Sequence, residues 1–306
     1  MSDLETTRGF GFFVSCVIVF LLPACSSGEW ETSPAQVTRT RILAIEAIPA
    51  ESRPLEVTEF RAIVAGPNGP EQAKIEEWTF CTMPPRPGQR ELVSDECRNE
   101  PGIPLSKKGN AAWGAIPQDV CRRFGPDPLP TNSGDTSRPR DADSTGGYYV
   151  PLRITAFGER WFYFHRVNCP LADAPSDVAL EFSSTYTKNL APEIKLLKIA
   201  ELADDSAEFS IELLWPSVSQ ETYPTYDVLH GTLREQREHV EVDWLTNAGD
   251  FAAFERTTSK QGEVIRATWI AQSHDSAVEN VWWWAVVRDS RGALVTVHGQ
   301  LPPPHH

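Results

Sequence analysis

Cysteine is the residue type with the most evident chemistry in this sequence of 306 residues. Four cysteines lie in the body of the chain: Cys81, Cys97, Cys121 and Cys169. An even number of cysteines in an oxidising compartment is typical of disulfides, although four cysteines allow three pairings. We predict Cys81 with Cys169 and Cys97 with Cys121, because the inner pair would then close a proline-rich segment and the outer pair would join two strands.

A metal site is the alternative use of these thiols. His165 lies near Cys169, but the chain has no CxxC motif and its cysteine spacings are long, which argues against zinc. A second candidate is the cluster of Asp135, Asp141 and Asp143, whose carboxylates are ligands that Ca²⁺ prefers. This cluster lacks the regular spacing of an EF-hand and is expected to be a solvated loop. We therefore expect no bound metal and no other cofactor.

The N-terminal segment ends in Cys25, whose sequence context differs from that of the four cysteines in the body of the chain. Residues 9–22 are apolar apart from Ser15, but at about 1.5 Å per residue the run spans about 21 Å and is too short for a bilayer core of about 30 Å. Arg8 precedes the run and Ala24 follows it, which predicts a signal peptide over residues 1–24. Residues 22–25, Leu-Pro-Ala-Cys, resemble the bacterial lipobox, in which the cysteine sulfur receives a diacylglycerol.

This resemblance implies that the mature chain begins at Cys25 and is held at a membrane by acyl chains such as palmitate. Ser26, and not Asp, follows the cysteine, which by the sorting rules of Gram-negative bacteria implies the outer membrane, on its periplasmic or cell-surface face. Pro23 departs from the lipobox pattern, and the alternative is a plain signal peptide or an uncleaved anchor. Residues 25–40 are interpreted as the lipidated cysteine and a polar tether.

Composition limits the partners of the chain. It has 42 Asp and Glu against 28 Lys and Arg, a net charge of −14, so it repels phosphate backbones and we expect no nucleic-acid partner. Its hydrophobic fraction of 41% is enough for a packed core, and its 25 prolines argue against a helical protein.

The elements that would position these residues are mostly strands. Short β-branched or aromatic runs separated by turn residues predict one sandwich domain over residues 41–189. The proline-rich segment at about 84–145 shows no helical or strand period, so we interpret it as an insertion stapled by a disulfide. The strands predicted for this domain are residues 41–49, 56–65, 76–83, 147–157, 160–168 and 178–186.

The second half repeats this pattern without cysteines and predicts a second sandwich domain over residues 190–301, followed by a tail at 302–306. Residues 232–239 are interpreted as a charged loop, with a helix as the alternative. The expected fold class is therefore all-β, with two tandem immunoglobulin-like sandwiches. The strands predicted here are residues 193–199, 208–214, 240–245, 264–270, 281–288 and 294–300.

Three consecutive tryptophans, residues 282–284, allow a prediction about orientation. Side chains alternate along a strand, and the set that contains Trp283 is uniformly apolar, whereas the other set ends in Arg288. We predict that Trp283 lies in the core and that Trp282 and Trp284 lie on the outer face. The two outer rings would either pack against the first domain, which we favour, or form a binding patch.

Catalytic motifs are missing from the sequence. It contains no GxSxG, HExxH or Walker motif, and its only GxG lies in the N-terminal apolar run, so we expect no enzyme and name no catalytic residue. Two functions remain. One is a structural or protein-interaction module that binds another envelope protein. The other is a carbohydrate-binding module that stacks glycans on exposed tryptophans, of which the chain has ten.

Several short motifs occur along the mature chain: Ile48-Pro49-Ala50-Glu51, Trp78 with Cys81, residues 145–149 before Pro151, residues 242–244 before Ala248-Gly249, Thr268-Trp269, and residues 288–292. With these motifs, most of the mature chain resembles a family of outer-membrane or surface lipoproteins of myxobacteria and their relatives, which carry tandem immunoglobulin-like domains. The resemblance implies this architecture and location; the family has no established activity. Two departures affect turns: Ser290 stands where a Gly is usual, and Gln272 where a Pro is usual.

Overall fold

Strands make up most of the first half of the chain. The computed structural model describes residues 35–85, 92–125, 146–171, 174–202, 208–216, 221–227, 229–252, 257–259, 263–271 and 280–302. The elements of the first half are β1 (Arg41–Ile48), β2 (Glu51–Ser52), β3 (Val57–Gly66), β4 (Gly69–Glu71), β5 (Glu77–Phe80), α1 (Asp95–Asn99), β6 (Ile103–Pro104), β7 (Ser106–Lys108), β8 (Ala111–Ala115), α2 (Val120–Phe124), β9 (Gly147–Ala156), β10 (Glu159–Asn168) and α3 (Ser176–Thr185).

The strands β1 to β10 form two sheets, which we call the first sandwich. One sheet has the order β1-β3-β8-β7, with β4 also paired to β3, and the other has the order β2-β10-β9-β5-β6. The chain changes sheets between β1, which pairs antiparallel with β3, and β2, which pairs parallel with β10. In chain order these are the A-B-E-D and C-F-G sheets of an immunoglobulin-like sandwich.

The second half contains only strands among its described elements. They are β11 (Lys195–Glu201), β12 (Glu208–Leu214), β13 (Thr222–Asp227), β14 (Thr232–Arg237), β15 (Val240–Thr246), β16 (Asp250–Phe251), β17 (Thr257–Ser259), β18 (Val264–Ile270), β19 (Val281–Asp289) and β20 (Leu294–Leu301).

These strands form a second sandwich of the same type. One sheet has the order β11-β12-β18-β16 and the other β17-β15-β19-β20, while β13 and β14 form a separate hairpin. The order again matches the A-B-E and C-F-G sheets of the immunoglobulin-like fold. The all-β fold class is therefore confirmed. The boundary predicted at residues 189 and 190 falls between α3 and β11.

Three sequence predictions on secondary structure are wrong. Residues 178–185 lie in helix α3 and not in a strand, and only Phe182 of that helix is buried, so its exposed side chains show no strand period. Residues 232–239 supply strand β14, which pairs with β13 along its whole length. Within the segment at about 84–145, which we expected to be an insertion without regular structure, residues 111–115 form β8, which pairs with the interior strand β3.

Both predicted disulfide pairings are also wrong. The structure joins Cys81 to Cys97 and Cys121 to Cys169, with Cα atoms 5.0 Å and 5.6 Å apart. The segment that we expected to close on itself instead contributes two short helices: α1 carries Cys97 and α2 carries Cys121. Each helix is therefore fixed to a strand end of the first sandwich, and the presence of two disulfides is confirmed.

Candidate functional site: the contact between the sandwiches

The strand of the three tryptophans lies between two apolar layers. The predicted alternation is confirmed, because Trp283 is fully buried in the core of the second sandwich and faces Trp244 at 6.1 Å between ring centroids. Arg288 is exposed, as its position at the end of the outer set required. The residues of β19 that share the core with Trp283 are Val281, Ala285 and Val287.

The outer face of β19 packs against the first sandwich. Trp284 is 0% exposed and contacts Val37 and Ala65, and half-buried Trp282 belongs to the same cluster. At Gly69 the backbone has φ +117°, and a Cβ there would lie 2.6 Å from the Trp282 ring, so a glycine is needed for the close approach. The packing interpretation is therefore confirmed for these two rings. Full burial excludes Trp284 from an open binding patch, whereas Trp282 is half-buried.

The N-terminal end of the described chain strengthens this contact. The backbone N–H of Val37 donates to the Thr246 carbonyl at 2.7 Å, and the N–H of Thr246 donates to the Ala35 carbonyl at 2.9 Å. Val37 is fully buried between the two sandwiches. Residues 35–37 of the predicted tether therefore belong to the contact between the sandwiches, because their backbone pairs with the last residue of β15.

A buried polar network forms the other half of the contact, and Arg291 is its centre. This side chain lies in the turn between β19 and β20 and is fully buried. Its Nε donates to Glu238 at 2.8 Å, a second nitrogen pairs with Glu221, and its guanidinium lies 4.4 Å from the centre of the Tyr223 ring. The cation is therefore held by two carboxylates and an aromatic face, as a buried charge requires.

The same guanidinium reaches the linker between the sandwiches. Its Nη1 donates to the Thr187 carbonyl at 2.8 Å and lies 3.4 Å from the Tyr186 hydroxyl. That hydroxyl donates to Glu51 at 2.7 Å, and Arg166 Nε lies 3.4 Å from the same carboxylate. Glu51 and Arg166 belong to β2 and β10, so a chain of hydrogen bonds runs from the second sandwich to the first.

Asp289 connects the polar network to Asn189 at the boundary between the two sandwiches. Its Oδ1 accepts from the N–H groups of Arg291 and Ala293 at 2.9 Å and from Asn189 Nδ2 at 3.3 Å. Burial, with the charge of Glu238 as a second cause, raises the pKa of Asp289 to about 7. Burial also raises the pKa values of Glu221 and Glu238. The junction holds more carboxyl groups than cations, so proton uptake relieves repulsion there.

A smaller polar group lies inside the first sandwich. His165 is fully buried; its Nε2 lies 2.9 Å from Ser52 Oγ, which is 2.6 Å from Thr58 Oγ1. Burial lowers the pKa of His165 to about 3, so the ring is neutral. Its neighbour in the zinc alternative, Cys169, is bonded to Cys121. In the described ranges no group of three or more potential metal ligands comes together.

The polar network was not found from the sequence. Residues 289–292 were interpreted only as turn residues, and nothing in the local pattern indicated that Arg291 would be buried. Its carboxylate partners Glu238 and Glu221 are 53 and 70 residues away. One signal is present in the sequence: Asp-Ser-Arg-Gly combines turn residues with an ionisable pair at the end of a first hairpin strand that is otherwise almost wholly apolar.

Several predicted residues lie outside the described part of the chain. They include the signal peptide at 1–24, Cys25 with its lipidation, and the cluster of Asp135, Asp141 and Asp143. None of the helices in the described ranges is long and apolar enough to serve as a membrane span.

Comparisons with known proteins add little to this geometry. No family model and no curated protein matches the chain. Among solved structures, the chain is similar to a chimeric titin Z1Z2 functionalised with a KLER exogenous peptide from decorin, at 11% identity and a TM-score of 0.19. That match covers 86% of this chain and 96% of the titin chain. The fold assignment rests on the strand orders and not on this similarity.

Proposed function

We propose that this chain is a lipid-anchored protein of the bacterial cell envelope that acts as a structural or protein-interaction module and not as an enzyme. The observation that carries the proposal is the contact between the sandwiches. It combines tryptophan packing with a buried charge network inside one compact unit. Such a contact fixes two immunoglobulin-like sandwiches relative to each other, which suits a module that presents a surface to a partner.

The chemistry of the network supports a structural role. The Arg291 guanidinium and the Asp289 carboxylate are 99% and 96% buried, so neither is presented to a substrate. The Asp289 carboxylate accepts from the backbone N–H of Arg291, and the Arg291 guanidinium donates to the Glu238 carboxylate and to the Thr187 carbonyl. A catalytic group needs access to a reacting atom, which this arrangement does not offer.

The location follows from the N-terminal pattern. Residues 22–25 and Ser26 favour an acylated Cys25 that holds the protein at the outer membrane, with the folded part joined to it by residues 26–34. The partner we propose is another envelope protein. The described contacts do not favour glycan binding at the two rings proposed for it, because Trp284 is fully buried and Trp282 is half-buried against the first sandwich.

The anchor is tested by substitution of the predicted acylation site. We expect Cys25→Ser to abolish incorporation of labelled palmitate and to release the protein from membranes on fractionation. The matched control is Cys16→Ser, which removes the other N-terminal thiol and should leave labelling and membrane association unchanged. Continued labelling of Cys25→Ser would refute the lipid anchor.

The interaction role is tested in intact cells. We expect chemical cross-linking of the anchored protein to yield a defined adduct with one envelope protein, and Cys25→Ser to lose that adduct while remaining folded. Saturable binding of the purified chain to that isolated partner would support a direct interaction. A chain that binds no envelope protein but turns over a small substrate would contradict the proposal.

A further inference from the structure

A cleft of about 370 Å³ opens at one side of the first sandwich. It lies between β1 and β10, where the two sheets of this sandwich are not joined by strand pairing, and the turn between β19 and β20 borders it. Its volume falls within the range of small-molecule pockets. Its lining includes Leu43, Ile154, Trp161, Tyr163, Arg288 and Leu294.

The walls of the cleft are apolar because they are continuous with the core. Trp161 pairs with Ile154 and Tyr163 pairs with Leu152 across β10 and β9. Residues opposite each other in an antiparallel pair project from the same face of the sheet. Ile154 and Leu152 are fully buried, so the Trp161 and Tyr163 rings also project between the sheets. The cleft is therefore an entrance to the core that the strands leave open.

Three hydrogen-bond donors of this lining find no partner among the residues that the structure describes. Trp161 Nε1 is buried and has no acceptor within those residues. In the described residues the Tyr163 hydroxyl and the Arg288 guanidinium make neither a hydrogen bond nor an ion pair, and the charge of Arg288 acts on that hydroxyl. Burial raises the pKa of Tyr163, so its hydroxyl remains a donor at neutral pH.

The charge of the lining is opposite to that of the chain. The protein carries a net charge of −14, yet the lining includes one arginine and no acidic residue. The two carboxylates whose charges act on the Tyr163 hydroxyl have other partners: Glu46 accepts from the Thr296 N–H at 2.8 Å, and Asp289 accepts from its own hairpin turn. A cation and two neutral donors beside an apolar space match a ligand that has an apolar body and an anionic acceptor.

We propose that this cleft binds one single-chain amphiphile, with its hydrocarbon chain between β1 and β10 and its carboxylate at Tyr163 and Arg288. The hydrocarbon chain replaces water against the half-buried side chains of Leu43 and Trp161, and the carboxylate accepts from the hydroxyl and the guanidinium. The site goes beyond the proposed function, because it does not depend on the lipid anchor or on an envelope partner.

The test measures binding of three probes to the purified full chain by isothermal titration calorimetry. Dodecanoate supplies the chain and the carboxylate, dodecanol supplies the chain with a neutral head, and acetate supplies the carboxylate alone. We expect saturable binding of one dodecanoate, at least about tenfold weaker binding of dodecanol and no measurable binding of acetate. Equal affinity for dodecanoate and dodecanol would overturn the proposed head-group site.

Variants locate the site. Arg288→Gln should weaken dodecanoate binding about tenfold or more, and Tyr163→Phe several-fold, while both leave dodecanol binding unchanged. The matched control is Arg266→Gln, because Arg266 is exposed on β18 and pairs with Glu212 away from the cleft. Far-ultraviolet circular dichroism shows that each variant is folded. Dodecanoate binding that is unaffected by Arg288→Gln, or equally weakened by Arg266→Gln, would refute the site.

A last measurement distinguishes a free amphiphile from a bilayer. Vesicles of anionic phosphatidylglycerol present the same combination, an anionic head group with hydrocarbon chains, but in the form of a membrane surface. We expect the wild-type protein to bind monomeric dodecanoate below the critical micelle concentration of dodecanoate. We also expect the Arg288→Gln variant and the wild type to bind the vesicles equally. If vesicle binding depended on Arg288 and monomeric dodecanoate did not bind, the cleft would not be a binding site for a single-chain amphiphile.

Discussion

The two sandwiches share a strand order but are stabilised in different ways. The second sandwich has four tryptophans in its core, Trp215, Trp244, Trp269 and Trp283, and no cysteine. The first sandwich has one fully buried tryptophan, Trp78, together with two disulfides and the buried His165. Connection length explains much of the difference, because the first sandwich includes the long segment at about 84–145.

This difference shows two ways to stabilise an immunoglobulin-like sandwich. A long connection adds conformational freedom to the unfolded chain, and a disulfide that closes the loop removes part of it. The second sandwich has shorter connections between its strands and gains stability from the area that large aromatic rings bury. The contact between the sandwiches shares only the aromatic burial, through Trp284, and adds a network of buried charges around Arg291 in place of a disulfide.

The largest expected effect concerns the tryptophan core. Trp283→Ala should lower the free energy of unfolding by about 3 to 5 kcal/mol, because a fully buried indole is replaced by a cavity. Urea denaturation followed by circular dichroism measures it. The matched control is Trp113→Ala on β8, whose side chain is 40% exposed and whose loss should cost less than about 1 kcal/mol. Equal losses would mean that the second sandwich does not depend on its aromatic core.

The disulfides should rank by the loops they close. Removal of a native disulfide costs about 2 to 4 kcal/mol, and the cost rises with loop length. The bond between Cys121 and Cys169 spans 48 residues and that between Cys81 and Cys97 spans 16. Replacing both Cys121 and Cys169 by alanine should therefore lower the free energy of unfolding by about 1 kcal/mol more than replacing both Cys81 and Cys97. Non-reducing peptide mapping checks the pairing itself, and a link between Cys97 and Cys121 would contradict the structure.

The pH dependence of stability should differ in sign between the sandwiches. The pKa of Asp289 is raised to about 7, so its contribution is fully present below the ordinary aspartate pKa and is lost as pH rises through 7. The pKa of His165 is lowered to about 3, so its contribution is present above the ordinary histidine pKa and is lost as pH falls. Between pH 8 and pH 5 the two effects oppose each other.

Two variants separate these effects. Relative to the wild type, Asp289→Asn should lose about 2 kcal/mol more stability on acidification from pH 8 to pH 5, and His165→Gln should lose about 2 kcal/mol less. Urea midpoints at the two pH values measure the change, and each variant is the control for the other. Shifts of the same sign in both variants would show that one of these pKa directions is wrong.

The smallest expected effect concerns the close approach between the sandwiches. Gly69→Ala should destabilise the chain, because the new Cβ would meet the Trp282 ring and the backbone at φ +117° disfavours any side chain. In a Trp282→Ala background the steric part disappears, so the same substitution should cost about 1 kcal/mol less. A double-mutant cycle measures this coupling, and additive effects would mean that the ring does not contact Gly69 in solution.

Much of the fold could be predicted from the sequence. The strands at 147–157, 160–168, 208–214 and 264–270 agree with β9, β10, β12 and β18 to within a residue or two, because period-2 patterns and turn residues are local signals. The orientation of Trp283 followed from the same alternation. The helix α3 and the hairpin strand β14 were missed because most of their side chains are exposed, so no apolar period marks them.

The sequence by itself determined the strand alternation, the all-β class and the even set of body cysteines, because each depends on neighbouring residues or on composition. Only the tertiary structure decided which cysteines pair, because a disulfide depends on the distance between segments after folding. Only the tertiary structure placed Arg291 beside Glu238 and Glu221, because burial of a charge depends on partners from distant parts of the chain. The cleft between β1 and β10 has the same origin, since its lining comes from both sandwiches.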